Sequence, residues 1–271
     1  MDSKTKVAVL GGGNIGLAIV NGLIDNNLFP AQNIFITRKQ LQHLKEYQKK
    51  GCEVTGDNKK AVSGSELVII AVQPQQLNEL LTEITPHLDS KRHILISVVS
   101  GASIKAIRDI TGENINVVRA MPNTAIAIGE SMTCLAGSNK TDKSLSIAKR
   151  IFDSVGKTLV IEESLMIPAT ALCACGIAFF LRAVRAASQG GIEIGFHSEE
   201  ALLMAAQTAK GAASLLADKK SHPESEVDKV TTPRGCTITG LNQMEHNGFS
   251  SALIKGIIIS AEKASKLYSI D

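Results

Sequence analysis

Apolar positions follow two different patterns along the chain. In its first part they form short, nearly unbroken runs separated by polar and turn-rich stretches. Val7 to Leu10 is the first run, and Asn33 to Thr37, Glu66 to Val72 and His93 to Val99 repeat it. Short runs with little alternation predict strands covered on both faces. Further candidates are Glu53 to Thr55, Val117-Val118, Met132 to Leu135 and, closing the series, Thr158 to Glu162. Helical patterns such as Gln40 to Lys50 lie between most of them, which predicts a mostly parallel, doubly wound α/β sheet. From about Ser164 the texture changes. Pro168 to Gln189 carries Ala and larger apolar residues at helical spacing. Ser198 is placed to cap a helix whose first turn holds Glu199 and Glu200. That helix runs through Leu202, Leu203, Ala206, Ala209 and Ala213, and Thr237 to His246 and Ser250 to Tyr268 add two more. The pattern divides the chain into an α/β domain, residues 1–163, and an all-α domain, residues 164–271. The Ala- and Gly-rich helix faces suit close helix contact. An ordinary helical core and an interleaved dimer both satisfy this periodicity.

The first apolar run ends in Gly11-Gly12-Gly13-Asn14-Ile15-Gly16 and passes into the helical pattern Leu17 to Val20. A strand, G-x-G-x-x-G and a helix in that order make the context of a dinucleotide-binding Rossmann-type domain. Gly11 permits the tight turn, Gly13 lets a pyrophosphate approach the backbone, and Gly16 lets helix and strand pack closely. The helix start offers free N–H groups to the phosphates. Where an NAD site has an acid after the second strand, this chain has Ile36-Thr37-Arg38-Lys39. A hydroxyl, a guanidinium and an ammonium suit a 2′-phosphate, so NADPH is favoured, with NADH the second choice.

Composition narrows the function classes. The 271 residues carry a net charge of +3, 3% aromatics and no Trp, which argues against nucleic-acid binding. The start Met1-Asp2-Ser3-Lys4 lacks the pattern of a secretory signal, and no apolar run reads as long enough to span a bilayer. The five cysteines, Cys52, Cys134, Cys173, Cys175 and Cys236, are scattered and lack a C-x-x-C pair. They read as reduced thiols of a cytoplasmic protein. None of the six histidines pairs with another at ligand spacing, so no metal is expected.

A more specific signature is Arg119-Ala120-Met121-Pro122-Asn123-Thr124. With Gly11 to Gly16, Ala71-Val72-Gln73-Pro74 and Val230-Thr231-Thr232-Pro233-Arg234-Gly235-Cys236-Thr237, it resembles the pyrroline-5-carboxylate reductase family over nearly the whole chain. That resemblance implies NAD(P)H-dependent reduction of 1-pyrroline-5-carboxylate to L-proline, the last step of proline biosynthesis. It implies a Rossmann-type domain followed by an all-α dimerisation domain, a homodimer through the C-terminal helices, and in many members a ring of dimers. Cofactor contacts would fall on Gly11, Gly12, Gly13, Asn14, Ile15, Gly16, Thr37, Arg38, Lys39 and Asn58. Further contacts would come from Ala71, Val72, Gln73 and Pro74, and from Val98, Val99 and Ser100. Met121, Pro122 and Asn123 would border the nicotinamide. An imine carboxylate substrate would meet Thr232, Gly235, Cys236, Thr237 and Asn123, with Thr237 orienting the imine nitrogen as the catalytic residue. The chain departs from the family at the S-G-S-G-P-A segment, here Cys173-Ala174-Cys175-Gly176-Ile177-Ala178, and at P-G-G, here Pro233-Arg234-Gly235. Ala125 stands where the family has Pro, and Ile167-Pro168 replaces an acidic-then-small pair. A β-hydroxyacid dehydrogenase would need a catalytic Lys and an Asn one turn later, and Pro168 to Arg182 holds neither. Reduction of another cyclic imine, and non-catalytic NADPH binding, stay open at this point.

Overall fold

The computed structural model describes residues 4–137, 143–219 and 221–266. The chain divides into two compact units, one running to Cys175 and resuming at Ser260, the other Gly176–Ile259. The first unit alternates strand and helix. In order, these are β1 (Val7–Leu10), α1 (Asn14–Asp25), β2 (Ile34–Thr37), α2 (Lys45–Lys49), β3 (Glu53–Thr55), α3 (Asn58–Ser63) and β4 (Leu67–Ile70). There follow α4 (Leu77–Ile84), β5 (Ile94–Ser97), α5 (Ile104–Thr111), β6 (Asn116–Met121), β7 (Ser131–Gly137), α6 (Lys143–Asp153), β8 (Gly156–Val160) and α7 (Met166–Ala169). The eight strands form one sheet in the order β3-β2-β1-β4-β5-β6-β7-β8. All neighbours are parallel except β6 and β7.

The unbroken apolar runs have a direct structural cause. Val7 and Val9 of β1 and Leu67 and Ile69 of β4 face one core, with Ile19 and Leu23 of α1 and Ile151 and Phe152 of α6. Ala8, Leu10, Val68 and Ile70 face the other, with Val62 of α3, Leu81 of α4 and Ile107 of α5. Helices cover both faces, so neither set of alternate side chains meets water. Each fully buried Val, Leu or Ile contributes about 1.5–3 kcal/mol relative to an exposed one.

The second unit holds α8 (Gly176–Glu193), α9 (Ser198–Lys219), α10 (Pro223–Val230), α11 (Cys236–His246) and the larger part of α12 (Phe249–Ala264). α8 and α9 form a hairpin, and a Cβ on Gly191 would lie 3.0 Å from the Ala201 Cβ. Many large apolar side chains of this unit are exposed, among them Phe180, Leu181, Ile194, Leu203 and Ile258. Its interior is too small to cover them.

Several boundaries differ from the sequence pattern. The last strand is Gly156–Val160, earlier than Thr158 to Glu162, because its register follows pairing with Ser131 to Leu135 of β7. The helix expected from Pro168 begins at Met166 and winds as a π-helix over Thr170–Cys175 before α8. Ser198 is the first helical residue rather than the cap. His197 takes the cap position, its carbonyl accepting from Ala201 N–H at 2.9 Å and its N–H donating to Glu200 Oε2 at 3.1 Å. The sequence reading missed α10, where His222 Nδ1 accepts from Glu224 N–H. The last helix ends at Ala264; Tyr268 lies outside the described residues. One helical run, Glu163–Glu193, is long and apolar enough to cross a membrane by length and composition, contrary to expectation.

Candidate active site

In the first unit, β1 lies between β2 and β4. The chain builds outward from this point in both directions, so the loops after β1 and β4 part at a topological switch point, where such sheets bind ligands. Thr37 holds the glycine loop from beside: its carbonyl accepts the N–H groups of Gly11 at 3.3 Å and Gly12 at 2.8 Å. Gly11 has φ +109, and a Cβ there would lie 2.5 Å from the Ala71 carbonyl oxygen. A Cβ on Gly16 would drive into the Gly11 carbonyl oxygen. Gly13 differs from both. It is extended, with φ −91 and ψ −170, and caps α1 without a side-chain hydrogen bond. A Cβ on Gly13 would meet nothing within 4 Å. The helix therefore begins with uncapped N–H groups next to space that a side chain would fill, which fits a pyrophosphate.

Arg38 follows β2 and donates from Nη1 to the Gly12 carbonyl at 2.7 Å, so its guanidinium is tethered at the loop. Lys39 is exposed, whereas Thr37 is buried and contributes through its carbonyl. Asn58 opens α3 beyond the cap Asp57 and donates to Glu83 Oε2 at 3.0 Å. Ala71 to Pro74 leave the end of β4, with Ala71 N–H bonded to the Leu10 carbonyl at 2.8 Å. Val98, Val99 and Ser100 leave the end of β5, and Met121 to Asn123 the end of β6. The Ser100 hydroxyl donates to Met121 Sδ at 3.8 Å. All these segments sit at the carboxyl ends of parallel strands. Asn123 is heavily committed. Its Oδ1 accepts from Ala125 N–H at 3.1 Å, its N–H donates to Ser131 Oγ at 3.2 Å, and its Nδ2 donates to the Cys173 carbonyl at 3.3 Å.

In the second unit, Thr232 to Gly235 form a turn closed by Gly235 N–H on the Thr232 carbonyl at 2.9 Å. Gly235 caps α11 with no side-chain hydrogen bond, leaving the N–H groups of Cys236 and Thr237 at an open helix start. A Cβ on Gly235 would lie 2.5 Å from Thr232 Oγ1, so the turn needs glycine. Arg234 has φ 60, a left-handed conformation. Holding a non-glycine residue there costs about 1–2 kcal/mol. Thr237 is half-buried in the first turn of α11, and Cys236 is exposed.

Three other groups shape the first unit. Arg119 is 5% exposed at its side chain, and its Nη1 lies 3.3 Å from Glu163 Oε1. Burial lowers the pKa of this guanidinium, while Glu163 opposes the shift. The same oxygen accepts the N–H of Ile104 at 2.6 Å, at the start of α5. His93 is buried, accepting Asp89 N–H at Nδ1 (2.8 Å) with Nε2 3.2 Å from the Val62 carbonyl, so the ring ties the end of α3 to the turn before β5. Cys134 and Cys173, far apart in sequence, bring their sulfurs to 4.0 Å. Spacing along the chain gives no sign of this pair, of the Arg38 tether or of the Arg119–Glu163 pair, because each joins different elements. Among the described residues no three His, Cys, Asp or Glu side chains gather as a metal site.

Comparison with known proteins bears on both units. Residues 163–267 match the family model for pyrroline-5-carboxylate reductase dimerisation, and residues 6–101 match that for NADP oxidoreductase, coenzyme F420-dependent. Pyrroline-5-carboxylate reductase 1 of Dictyostelium discoideum is 52% identical over 97% of this chain, which spans 50% of that protein's length. Pyrroline-5-carboxylate reductase 2 of the same organism is 46% identical, with 98% of this chain and 94% of the relative covered. The pyrroline carboxylate reductase of Plasmodium falciparum, solved with NADP bound, shares the fold. Its TM-score is 0.88 at 23% identity, over 98% of this chain and 99% of that one. The Dictyostelium relative of nearly equal length at 46% identity, together with a C-terminal region that fits the family's dimerisation model, shows that the chain belongs to the pyrroline-5-carboxylate reductase family.

Proposed function

We propose that this chain reduces 1-pyrroline-5-carboxylate to L-proline with NADPH. The observation that carries the reading is the pair of uncapped helix starts, α1 behind Gly13 and α11 behind Gly235, each presenting backbone donors suited to an anion. The first suits a dinucleotide pyrophosphate and the second a substrate carboxylate. When bound, the dinucleotide supplies the hydride that the imine carbon accepts.

The protein's part is to bind, orient and exclude. Asn14, Ile15 and Gly16 offer N–H groups to the pyrophosphate, and Gly11 and Gly12 hold the loop open against Thr37. Arg38 and Lys39 meet the 2′-phosphate, with Arg38 already oriented by its bond to Gly12. Asn58 lies on the same nucleotide side. Ala71 to Pro74 and Val98 to Ser100 run beside the cofactor, and Met121 to Asn123 border its nicotinamide. The free N–H groups of Cys236 and Thr237, with Thr232, hold the carboxylate, and Gly235 closes the turn beneath it. The Thr237 hydroxyl takes a hydrogen bond with the imine nitrogen and orients it. A hydroxyl is a weak acid, and a protonated imine already carries the charge that draws hydride, so orientation is its role.

The exposed apolar side chains of α8, α9 and α12 are covered by a second copy, consistent with the dimerisation model over residues 163–267. That copy, rather than lipid, accounts for the apolar character of Glu163–Glu193. Dimers of this kind are proposed to assemble into a ring. The boundary between the domains is proposed at Glu163, and the five free thiols suit a reducing cytoplasm. The test is NADPH oxidation followed by absorbance with fresh 1-pyrroline-5-carboxylate, and NADH as the comparison. Saturable oxidation that yields proline supports the reading. NADPH binding without oxidation rejects it in favour of another imine.

A further inference from the structure

Cys134 and Cys173 form the one thiol pair in contact among the described residues. Cys134 is 3% exposed on β7, an inner strand held by β6 and β8 on either side. Cys173 is partly exposed and lies in the π-helical segment Thr170–Cys175. Such π-helical turns are rare and occur often at functional sites. The resemblance leads one to expect Ser where Cys173 stands.

We propose that Cys134 and Cys173 are a site of reversible oxidation by hydroperoxides, closing to a disulfide that acts on the Met121–Asn123 segment. The Cys173 sulfur, as thiolate, attacks one peroxide oxygen; the O–O bond breaks and hydroxide leaves, taking a proton to become water. The Cys134 thiol then loses its proton, and its sulfur attacks the Cys173 sulfenic sulfur. The S–S bond forms, the S–O bond breaks, and a second water leaves. Two thiols lose two electrons and hydrogen peroxide becomes two waters.

The surroundings favour this order. The hydrogen bond with Cys134 holds Cys173 down to about 7, while that same bond, burial and the neighbouring sulfur's charge push Cys134 up. Near neutral pH the accessible sulfur is therefore the nucleophile, and the buried one keeps its proton until a sulfenic acid faces it. A disulfide needs the sulfurs at about 2.0 Å. The inner strand is fixed by pairing on both sides, so the approach comes from movement of the π-helical turn that carries Cys173.

Closing the bond draws on the Cys173 backbone, whose carbonyl accepts from Asn123 Nδ2 at 3.3 Å. Met121 also pairs with Cys134 in the β6–β7 register. Oxidation thus reaches the nicotinamide side from two directions. This effect on turnover rests on the functional reading of Met121–Asn123; formation of the bond does not.

The experiment treats the purified protein with hydrogen peroxide at pH 7.5, alkylates the remaining thiols and maps the peptides by mass spectrometry. Exposed Cys236 serves as the internal measure of dose. A Cys134–Cys173 linked peptide, abolished in Cys173→Ser and reversed by dithiothreitol, is the expected result. In the wild type NADPH oxidation falls several-fold with formation of the link and recovers with the reductant. Cys134→Ala provides the same control should Cys173→Ser fold poorly. Oxidation of Cys236 with Cys134 and Cys173 still fully alkylated overturns the proposal, as does sulfinic acid at Cys173 without a link. A linked peptide with unchanged turnover rejects the coupling to Met121–Asn123, and leaves the functional reading to its own assay.

Discussion

Gly13→Ala separates the role of the glycine loop in folding from its role in binding. The new Cβ meets nothing within 4 Å, and φ −91 with ψ −170 is ordinary for alanine. Loss of backbone freedom in the unfolded chain stabilises by about 0.4–1 kcal/mol. Alanine is a poorer helix cap than glycine by a similar amount. The two offset, so Tm should stay within about 2 °C for a unit of this size. Binding should not be spared, because the methyl group occupies the space that a pyrophosphate needs. Loss of one charged hydrogen bond costs about 1.5–3 kcal/mol, or roughly 10–150-fold in Kd for NADPH. Gly11→Ala is the contrast. Its φ of +109 costs about 1–2 kcal/mol, and a Cβ 2.5 Å from the Ala71 carbonyl oxygen adds about 1–3 kcal/mol of overpacking. Net of the entropy gain, about 1–5 kcal/mol is lost, so Tm should fall by roughly 2–20 °C. Thermal circular dichroism and titration of NADPH fluorescence measure the two quantities. Wild-type NADPH affinity in Gly13→Ala would refute the anion cradle at α1, and an unchanged Tm in Gly11→Ala would refute the rigid approach to Ala71.

Three further substitutions test other parts of the arrangement. Arg38→Ala should raise the KM for NADPH about tenfold or more, the loss of one charged bond, and that for NADH much less; equal losses would count against a 2′-phosphate contact. Thr237→Ala should lower kcat about tenfold, the loss of one orienting hydrogen bond, with NADPH affinity nearly intact; unchanged steady-state kinetics would remove Thr237 from the reaction. Glu163→Ala leaves the buried Arg119 guanidinium uncompensated and the Ile104 N–H unpaired. Because Glu163 is itself a third exposed, the cost should be about 2–3 kcal/mol, seen as a lower midpoint in urea with an unchanged slope.

Much of the first unit was legible because its determinants are local. Strands buried on both faces leave unbroken apolar runs, and G-x-G-x-x-G marks a turn whose geometry only glycine allows, as Gly11 confirms with its positive φ. The R-x-M-P-N-T and T-T-P-R-G-C-T segments identified the family before any coordinates. Periodicity was weaker at boundaries. It missed α10 and placed the last strand late, since neither is set by apolar spacing alone.

What the sequence determined by itself was therefore the order of elements, the class of cofactor site and the family. These follow from neighbouring residues and the repeat lengths of strand and helix. Only the tertiary structure decided that Thr37 acts on the glycine loop through its carbonyl, and that Arg38 is tied to Gly12. It also showed that Asn123 is spent on three structural bonds, that Arg234 sits in a left-handed turn, and that Cys134 and Cys173 touch. Each of these depends on how separate elements are brought together or how a turn is closed. No periodicity encodes that, because packing of the whole core sets the distances between elements.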